Sequence, residues 1–219
     1  SNLGYSTSWT ETKSFLKPPD DILVMTTPFL GGTDPLFGSR CTLDLEDFFH
    51  IDRLKKIKAD TGKDIQIIIG PGAALSGYSG LLIYIDVPKN EIQYRSRAGA
   101  VASLGAPGIS DPQAMYKCFY FVDWVVLNKH KKKILRSIDI YIDGQRPDNP
   151  VWTDAEVVRN ALHKMSRNLL RARPWFEPGP WGGTWIRDNI EGLNKDVPNY
   201  AWSFELITPE NGLLLESSS

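Results

Sequence analysis

The residue types that could carry metal or nucleophilic chemistry are few in this chain. Its three histidines, His50, His130 and His163, fall in three separate helical segments, without the short spacing that metal ligands need. Its two cysteines, Cys41 and Cys118, form no Cys-x-x-Cys pair. No histidine stands beside a nucleophile motif, which argues against a Ser-His-Asp or Cys-His arrangement. We therefore assign no catalytic residue and no metal ligand in this sequence.

The bulk composition is that of an ordinary globular protein. Of 219 residues, 42% are hydrophobic and 23% are charged, and 25 basic side chains nearly balance 26 acidic ones. A net charge of -1 argues against a binder of nucleic acid or of an acidic membrane, because such a protein would carry a basic excess. Cys118 lies among aromatic residues, which indicates a buried thiol in a reducing compartment. We expect a cytoplasmic protein that binds neither nucleic acid nor membrane.

Apolar runs bounded by turn residues predict the secondary structure. Buried strands are expected over residues 22–25, 65–69, 81–85 and 138–143. Helices are expected over residues 45–54 with Asp44 as the cap, from the Asp111-Pro112 start to about residue 135, and from a Thr153-x-x-Glu156 capping box onward. Continuous apolar strands are typical of sheets covered by helices. The pattern therefore predicts an α/β fold, with a parallel or mixed sheet and flanking helices.

The most specific stretch is Arg-Pro-Trp-Phe-Glu-Pro-Gly-Pro-Trp-Gly-Gly-Thr-Trp-Ile-Arg over residues 173–187. Together with the strand-like residues 200–207 and Asn211-Gly212, it resembles the opening of class I mannose-6-phosphate isomerases and the first strand of their cupin domain. The resemblance covers roughly residues 172–216. We interpret its Trp181-Gly182-Gly183 motif as structural, because a tryptophan fills core space and paired glycines permit a tight turn.

This resemblance implies metal-assisted interconversion of mannose 6-phosphate and fructose 6-phosphate. In that family a divalent metal, typically zinc, is held by a Gln-x-His pair, a glutamate and a later histidine, and it polarises the sugar while a base moves the proton. None of the glutamines in this chain is followed two positions later by histidine. We therefore expect zinc only in a longer parent protein and predict that this chain alone is inactive. The apolar Leu213-Leu214-Leu215 near its last residue favours the same interpretation, a fragment of a longer protein.

A second resemblance concerns residues 67–75 and 81–88, which look like the second half of a nucleoside- or uridine-kinase-like P-loop domain. In that fold a strand ending in Asp leads into an arginine-bearing lid, and Arg95 and Arg97 follow here. The resemblance implies that this pair clamps a phosphate group. The chain contains no Gly-x-x-x-x-Gly-Lys-Ser/Thr, so it lacks the backbone cradle and the lysine that phosphoryl transfer needs. We expect a degenerate kinase-like domain in which this Walker A loop is absent.

Within that interpretation, Gly70 and Gly72 of the Gly70-Pro71-Gly72 loop form an anion-binding nest, and the alternative is a tight strand exit with no ligand. Gly70, Gly72, Arg95 and Arg97 are then the candidate phosphate-binding residues, for a sugar phosphate or a nucleotide. A further alternative is an interaction domain that packs against the cupin or in a homodimer.

Four segments follow from these interpretations. They are an N-terminal arm or linker over 1–19, a kinase-like α/β domain over 20–146, a connecting helix over 147–171, and the beginning of a cupin-type β domain over 172–219.

Overall fold

The predicted α/β class is confirmed, since helices alternate with small parallel and mixed sheets. The computed structural model describes residues 4–35, 37–105, 111–167, 171–176, 187–196 and 202–207. The chain divides into two compact units. The first unit comprises Ser1–Leu82 and Lys89–Ile138, and the second comprises Ile83–Pro88 and Asp139–Ser219.

The first unit contains one parallel strand pair and several helical segments. Strands β1 and β2 pair in parallel, from Thr7 opposite Ile65 to Glu11 opposite Ile69. Its main elements, in chain order, are β1 Thr7–Glu11, α1 Pro19–Thr26, α2 Ile51–Leu54, β2 Ile65–Ile69, α3 Lys89–Arg97, α4 Pro112–Lys117, a π-helix Cys118–Asp123 and α5 Trp124–Ile134. Helices α1 and α5 pack on the turns around α2 and bury one apolar core, whose fully enclosed members include Ile22, Phe48, Leu54 and Val126.

Residues 22–25 were predicted to form a strand, and this prediction is wrong, because they lie inside α1. Pro19 occupies the first helical turn together with two aspartates, which suit the positive end of the helix dipole. Only Ile22 and Thr26, one turn apart, are buried, whereas Val24 is 74% exposed. The apolar run is thus half solvent-facing, and start signals rather than hydrophobicity decide its structure.

The N-terminal segment expected to be an arm contains β1. Ser6 anchors it, since its backbone N–H and its hydroxyl both donate to Asp64 Oδ2 at 2.8 Å. This double hydrogen bond lowers the pKa of the Asp64 carboxyl. Residues just before β1 and β2 are therefore tied together, which fixes the register of the parallel pair.

Asp44 does cap a helical segment, but the helix expected over 45–54 is broken in two. A 3₁₀ turn spans Leu45–Phe48, with Asp44 N–H donating to Asp47 Oδ2 at 2.8 Å, and α2 follows. The prediction of a long helix after Asp111 is confirmed: Asp111 Oδ2 accepts from Ala114 N–H at 2.8 Å, and α4, the π-helix and α5 run on without interruption. Two helical starts were therefore correctly located from the capping aspartates.

The second unit contains a three-stranded sheet of order β3-β4-β5 and a separate two-stranded sheet. Strands β3 and β4 are parallel, and β4 and β5 are antiparallel. Its elements are β3 Ile83–Asp86, β4 Ile140–Asp143, β5 Val151–Asp154, α6 Ala155–Met165, β6 Arg171–Phe176 and β7 Trp202–Ile207. The predicted strands at 65–69, 81–85 and 138–143 are confirmed within two residues.

The start of α6 differs from its prediction by one residue. Thr153 was expected to cap the helix, but it belongs to β5, and Asp154 is the N-cap residue. Ala155 N–H donates to the Asp139 carbonyl at 2.8 Å, so the first helical residue is tied to the residue before β4. The Thr-x-x-Glu pattern was misleading because the chain is still extended at Thr153. None of the helices in the described part of the chain is long and apolar enough to cross a membrane.

Candidate functional site

The Gly70-Pro71-Gly72 loop follows β2, and both of its glycines are closely packed. Gly70 has a φ of +122°, and a Cβ there would lie 2.4 Å from Thr12 Oγ1. Thr12 is fully buried and donates its hydroxyl to the Pro71 carbonyl at 2.8 Å. Gly72 has a φ of +81°, and its Cβ would lie 3.0 Å from the ring of Phe49. These contacts favour a tight strand exit, and the anion-binding role of the two glycines stays a prediction.

The other two candidate phosphate ligands lie near the end of α3. Arg95 Nε is 2.8 Å from Glu91 Oε1, one helical turn away, and about a quarter of each side chain is exposed. Arg97 is an exposed residue in the last turn, where a cation suits the helix dipole. The ion pair holds Arg95 along its own helix, whereas Gly70 packs against Thr12, the residue that follows β1. Trp181, Gly182 and Gly183 lie outside the described residues.

The structure adds a site that the sequence analysis did not name, a buried carboxyl at the end of the π-helix. Asp123 is 2% exposed, and its Oδ2 accepts from Ser103 Oγ at 2.7 Å and from Leu104 N–H at 3.1 Å. Its Oδ1 is buried and has no hydrogen-bond partner within the described ranges of the chain. Burial raises the pKa of Asp123 to about 6, against the smaller, lowering effect of these hydrogen bonds. The sequence signal was available, because Asp123 is the one charged residue within 118–127.

Both cysteines lie within the electrostatic reach of this carboxyl. Burial, and secondarily the charge of Asp123, raise the pKa of the Cys118 thiol to about 11. Burial is also the main cause of the raised pKa of Cys41, with Asp123 among the smaller contributions. Both are free and buried, as predicted for Cys118. Thiols of this kind stay protonated at neutral pH and are poor nucleophiles.

Two lysines of the first unit are held by defined partners. Lys117 is only 7% exposed, and its Nζ donates to the carbonyls of Leu30, at 2.7 Å, and Asp34. Lys89 Nζ lies 5.2 Å from the centroid of the Trp124 ring, a cation–π distance. Trp124 is 7% exposed, and its Nε1 lacks a hydrogen-bond partner among the residues described. Asp123 Oδ1 and Trp124 Nε1, on consecutive residues, are therefore both buried without a hydrogen-bond partner among the residues described.

In the second unit, β3 and β4 both consist of Ile-Tyr-Ile-Asp. They pair in register, so Tyr84 lies opposite Tyr141 and Asp86 lies opposite Asp143. Burial first and Asp86 second raise the pKa of Tyr84 to about 12, and the same two causes raise the pKa of Tyr141. The opposite face is apolar and open to solvent, since Ile83, Ile85 and Trp152 are 47%, 56% and 65% exposed.

The arrangements described above offer groups for acid–base chemistry. No group of three or more His, Cys, Asp or Glu side chains in the described segments could hold a metal ion. His130, which is buried in α5, has a pKa lowered chiefly by burial and then by Lys133. Asp123 therefore stands out as a buried group whose proton equilibrium falls near neutral pH.

Comparison with known proteins gives one match. A family described as Domain of unknown function (DUF8485) matches residues 2–167. No curated protein and no solved structure matches the chain. The matched range ends at residue 167, just before β6 begins at Arg171.

Proposed function

The chain belongs to the family described as Domain of unknown function (DUF8485), and from this premise we propose that it is a degenerate kinase-like α/β domain joined to the first strands of a mannose-6-phosphate isomerase-like cupin domain. The longer parent protein interconverts the aldose and ketose forms of a hexose 6-phosphate. Zinc serves that reaction, and its ligands come from parts of the parent that this chain does not supply. The chain alone is inactive.

The observation that carries this proposal is the pairing of β6 with β7. The register sets Pro174 opposite Phe204 and Phe176 opposite Trp202, in antiparallel orientation. These strands come from the two stretches on which the isomerase resemblance rests, residues 173–187 and 200–207. Antiparallel strands are the building unit of cupin-type double sheets. The family match ends at residue 167, before β6 begins at Arg171, so it covers the proposed α/β part and not the proposed cupin strands.

The test is an isomerase assay on two proteins, this chain and the full product of the gene that encodes it. The full product is expected to convert mannose 6-phosphate to fructose 6-phosphate, to lose that activity in EDTA and to regain it with zinc. This chain is expected to show none. Folded, zinc-supplied full product that isomerises no hexose 6-phosphate would overturn the proposal.

A second candidate function is binding of a sugar phosphate or nucleotide by the α/β domain, as a regulatory module. It is favoured by the position of the Gly70-Pro71-Gly72 loop. Glu11 and Ile69, the last residues of β1 and β2, are register partners, so this loop lies at the carboxyl end of a parallel strand pair. Ligands of open α/β sheets bind at that end of the strands.

Calorimetry on this chain tests the second candidate with mannose 6-phosphate and with ATP. The Arg95→Ala, Arg97→Ala double variant is expected to weaken binding, because it removes both guanidinium groups. The matched control is the Arg53→Ala, Lys56→Ala double variant, which also removes two cations and is expected to bind normally. Absence of heat with either ligand on folded protein would contradict this candidate.

A further inference from the structure

A single carboxyl fastens the loop that follows α3 to the long helix. Two consecutive loop residues, Ser103 and Leu104, donate to the same oxygen of Asp123, one through its side chain and one through its backbone. Ser103 is itself only 7% exposed. Residues 101–105 are thus attached at a defined point of the π-helix, and a π-helical turn inside an α-helix is often found at functional positions.

The same loop is also docked through apolar contacts. Leu104 packs against the core that contains Ile22 and Val126. Gly105 has a φ of +72°, and a Cβ there would lie 2.1 Å from Ile22 Cδ1. The loop therefore lies in close contact with α1 on one side and with the π-helix on the other, and its attachment to Asp123 is enclosed rather than solvated.

The ionised and neutral forms of Asp123 do not suit this enclosure equally. In either form Oδ2 accepts both loop hydrogen bonds. When the carboxyl is ionised, however, Oδ1 carries part of a buried charge, and none of the described residues donates a hydrogen bond to it. A buried charge without full hydrogen bonding costs much more free energy than a buried neutral acid in the same place. Opening the loop would let water reach Oδ1, so ionisation favours the open form.

We propose that Asp123 and the loop over residues 101–105 form a proton-operated latch, which is closed while the carboxyl is protonated and is loosened when it ionises. This latch does not depend on the proposed isomerase function. It concerns the attachment of residues 101–105, which follow α3, and it acts through the protonation of one residue.

Asp123 is the group in this cluster that titrates in the acid range, as the groups around it show. Ser103 and Leu104 contribute hydrogen bonds from the loop. Cys118 on the π-helix and Cys41 on the segment that pairs with Phe121 contribute thiols whose pKa values are raised, so they stay neutral through the acid range. The charge of Lys129 lowers the pKa of Cys41, and the charge of Asp47 raises it. The proton that leaves as the latch loosens is therefore that of Asp123.

The size of the effect follows from the two proton affinities. The pKa of Asp123 is about 6 in the closed form, against an ordinary value of 3.8 when water reaches it. Each unit of difference changes the opening equilibrium tenfold, so the opening constant should rise up to about 100-fold between roughly pH 4 and pH 6 and then level off.

Hydrogen exchange at the Leu104 amide measures this directly, because that N–H is bonded to Asp123. After correction for the intrinsic exchange rate, the wild-type opening constant should rise across the stated pH window, and Asp123→Asn should remove the rise. Asp111→Asn, which alters an exposed capping carboxyl, is the matched control and should keep it. A Leu104 opening constant that is flat between pH 4 and pH 7 would overturn the latch.

Two further measurements keep the test decisive if Asp123→Asn folds poorly. Carbon NMR of the wild-type Asp123 carboxyl should titrate over the same pH range in which Leu104 opening changes. Gly105→Ala should loosen the loop at every pH through steric strain, without altering the slope of opening against pH. Titration of Asp123 outside the window of Leu104 opening would show that the two are uncoupled and would reject the proposal.

Discussion

Tyr84 and Tyr141 are register partners in the parallel pair β3–β4, with ring centroids 5.7 Å apart and ring planes at 62°. Both strands have the sequence Ile-Tyr-Ile-Asp and pair in register, so each residue lies beside a residue of the same type on the other strand. An edge-to-face arrangement at this distance is attractive, since the positive edge of one ring meets the negative face of the other. The pair therefore fixes which residues of the two strands face each other.

A double-mutant cycle on this pair should detect the ring contact. Tyr84→Leu and Tyr141→Leu are each expected to destabilise the fold, and the double variant should be less harmful than their sum by about 0.5–1.5 kcal/mol. Urea unfolding of the four proteins measures this difference. Strict additivity of the two single effects would mean that the rings contribute only their separate burial.

Tyr141→Phe should leave the free energy of unfolding unchanged or raise it by up to about 1 kcal/mol, because the hydroxyl it removes is a desolvated donor. Tyr141 is 6% exposed, and its hydroxyl has no hydrogen-bond partner among the described residues. Tyr94→Phe, at a 60% exposed position, is the neutral control. A clear loss of stability in Tyr141→Phe would reveal a partner for that hydroxyl.

Asp123 should also leave a signature in the pH dependence of global stability. Its pKa is about 6 in the folded protein, against an ordinary value of 3.8, so between these values the folded state holds one more proton than the unfolded state. The free energy of unfolding therefore falls through this group as pH rises from about 4 to 6, by roughly 3 kcal/mol at 1.36 kcal/mol per unit.

In Asp123→Asn this contribution is absent, so the stability of the wild type relative to the variant should decline across the same window. Urea midpoints between pH 4 and pH 7.5 for both proteins give the comparison. Other carboxyls, such as Asp64, titrate equally in the two proteins and cancel in the difference. A constant difference over that range would contradict a raised pKa at Asp123.

Local signals in the sequence located several elements correctly. Asp44 and Asp111 were correctly identified as helix starts, because a side-chain or backbone cap is a property of a few adjacent residues. The apolar strands β2 and β4 were found for the same reason. The run at 22–25 was misassigned, since hydrophobicity alone does not distinguish a strand from a helix that buries one face.

The Asp123 cluster depends on distant partners, and that is why it was missed. Ser103 lies 20 positions before Asp123, and the two residues meet only after the chain has folded around α4. A lone aspartate in an apolar aromatic run does indicate a buried carboxyl that needs hydrogen-bond partners. The tight contact of Gly70 with Thr12 could not be predicted either, because a glycine-rich loop does not indicate which distant residue packs against it.

Gly70→Ala should destabilise the fold by about 1–3 kcal/mol, because the new methyl group would meet the buried Thr12 hydroxyl and the backbone would keep a positive φ. The added Cβ would lie 2.4 Å from Thr12 Oγ1, a separation too short for any non-bonded contact. Gly77→Ala is the matched control, since Gly77 also has a positive φ, of +67°, but has nothing within 4 Å of the added Cβ. Chemical denaturation should give a lower free energy of unfolding for Gly70→Ala than for Gly77→Ala. Equal losses of stability would mean that backbone strain, and not the contact with Thr12, causes the whole effect.

Lys117→Met should cost about 2–3 kcal/mol of stability, because a hydrogen bond from a charged group is worth more than a neutral one and Lys117 is itself buried. Lys117 Nζ donates to the carbonyls of Leu30 and Asp34 and thereby ties α4 to the turn after α1. The methionine side chain fills a similar volume but donates no hydrogen bond. Lys55→Met, at an exposed position, controls for the loss of a positive charge. Guanidinium unfolding should show a lower midpoint for Lys117→Met alone, whereas matched midpoints for the two variants would mean that water replaces the lysine at both carbonyls.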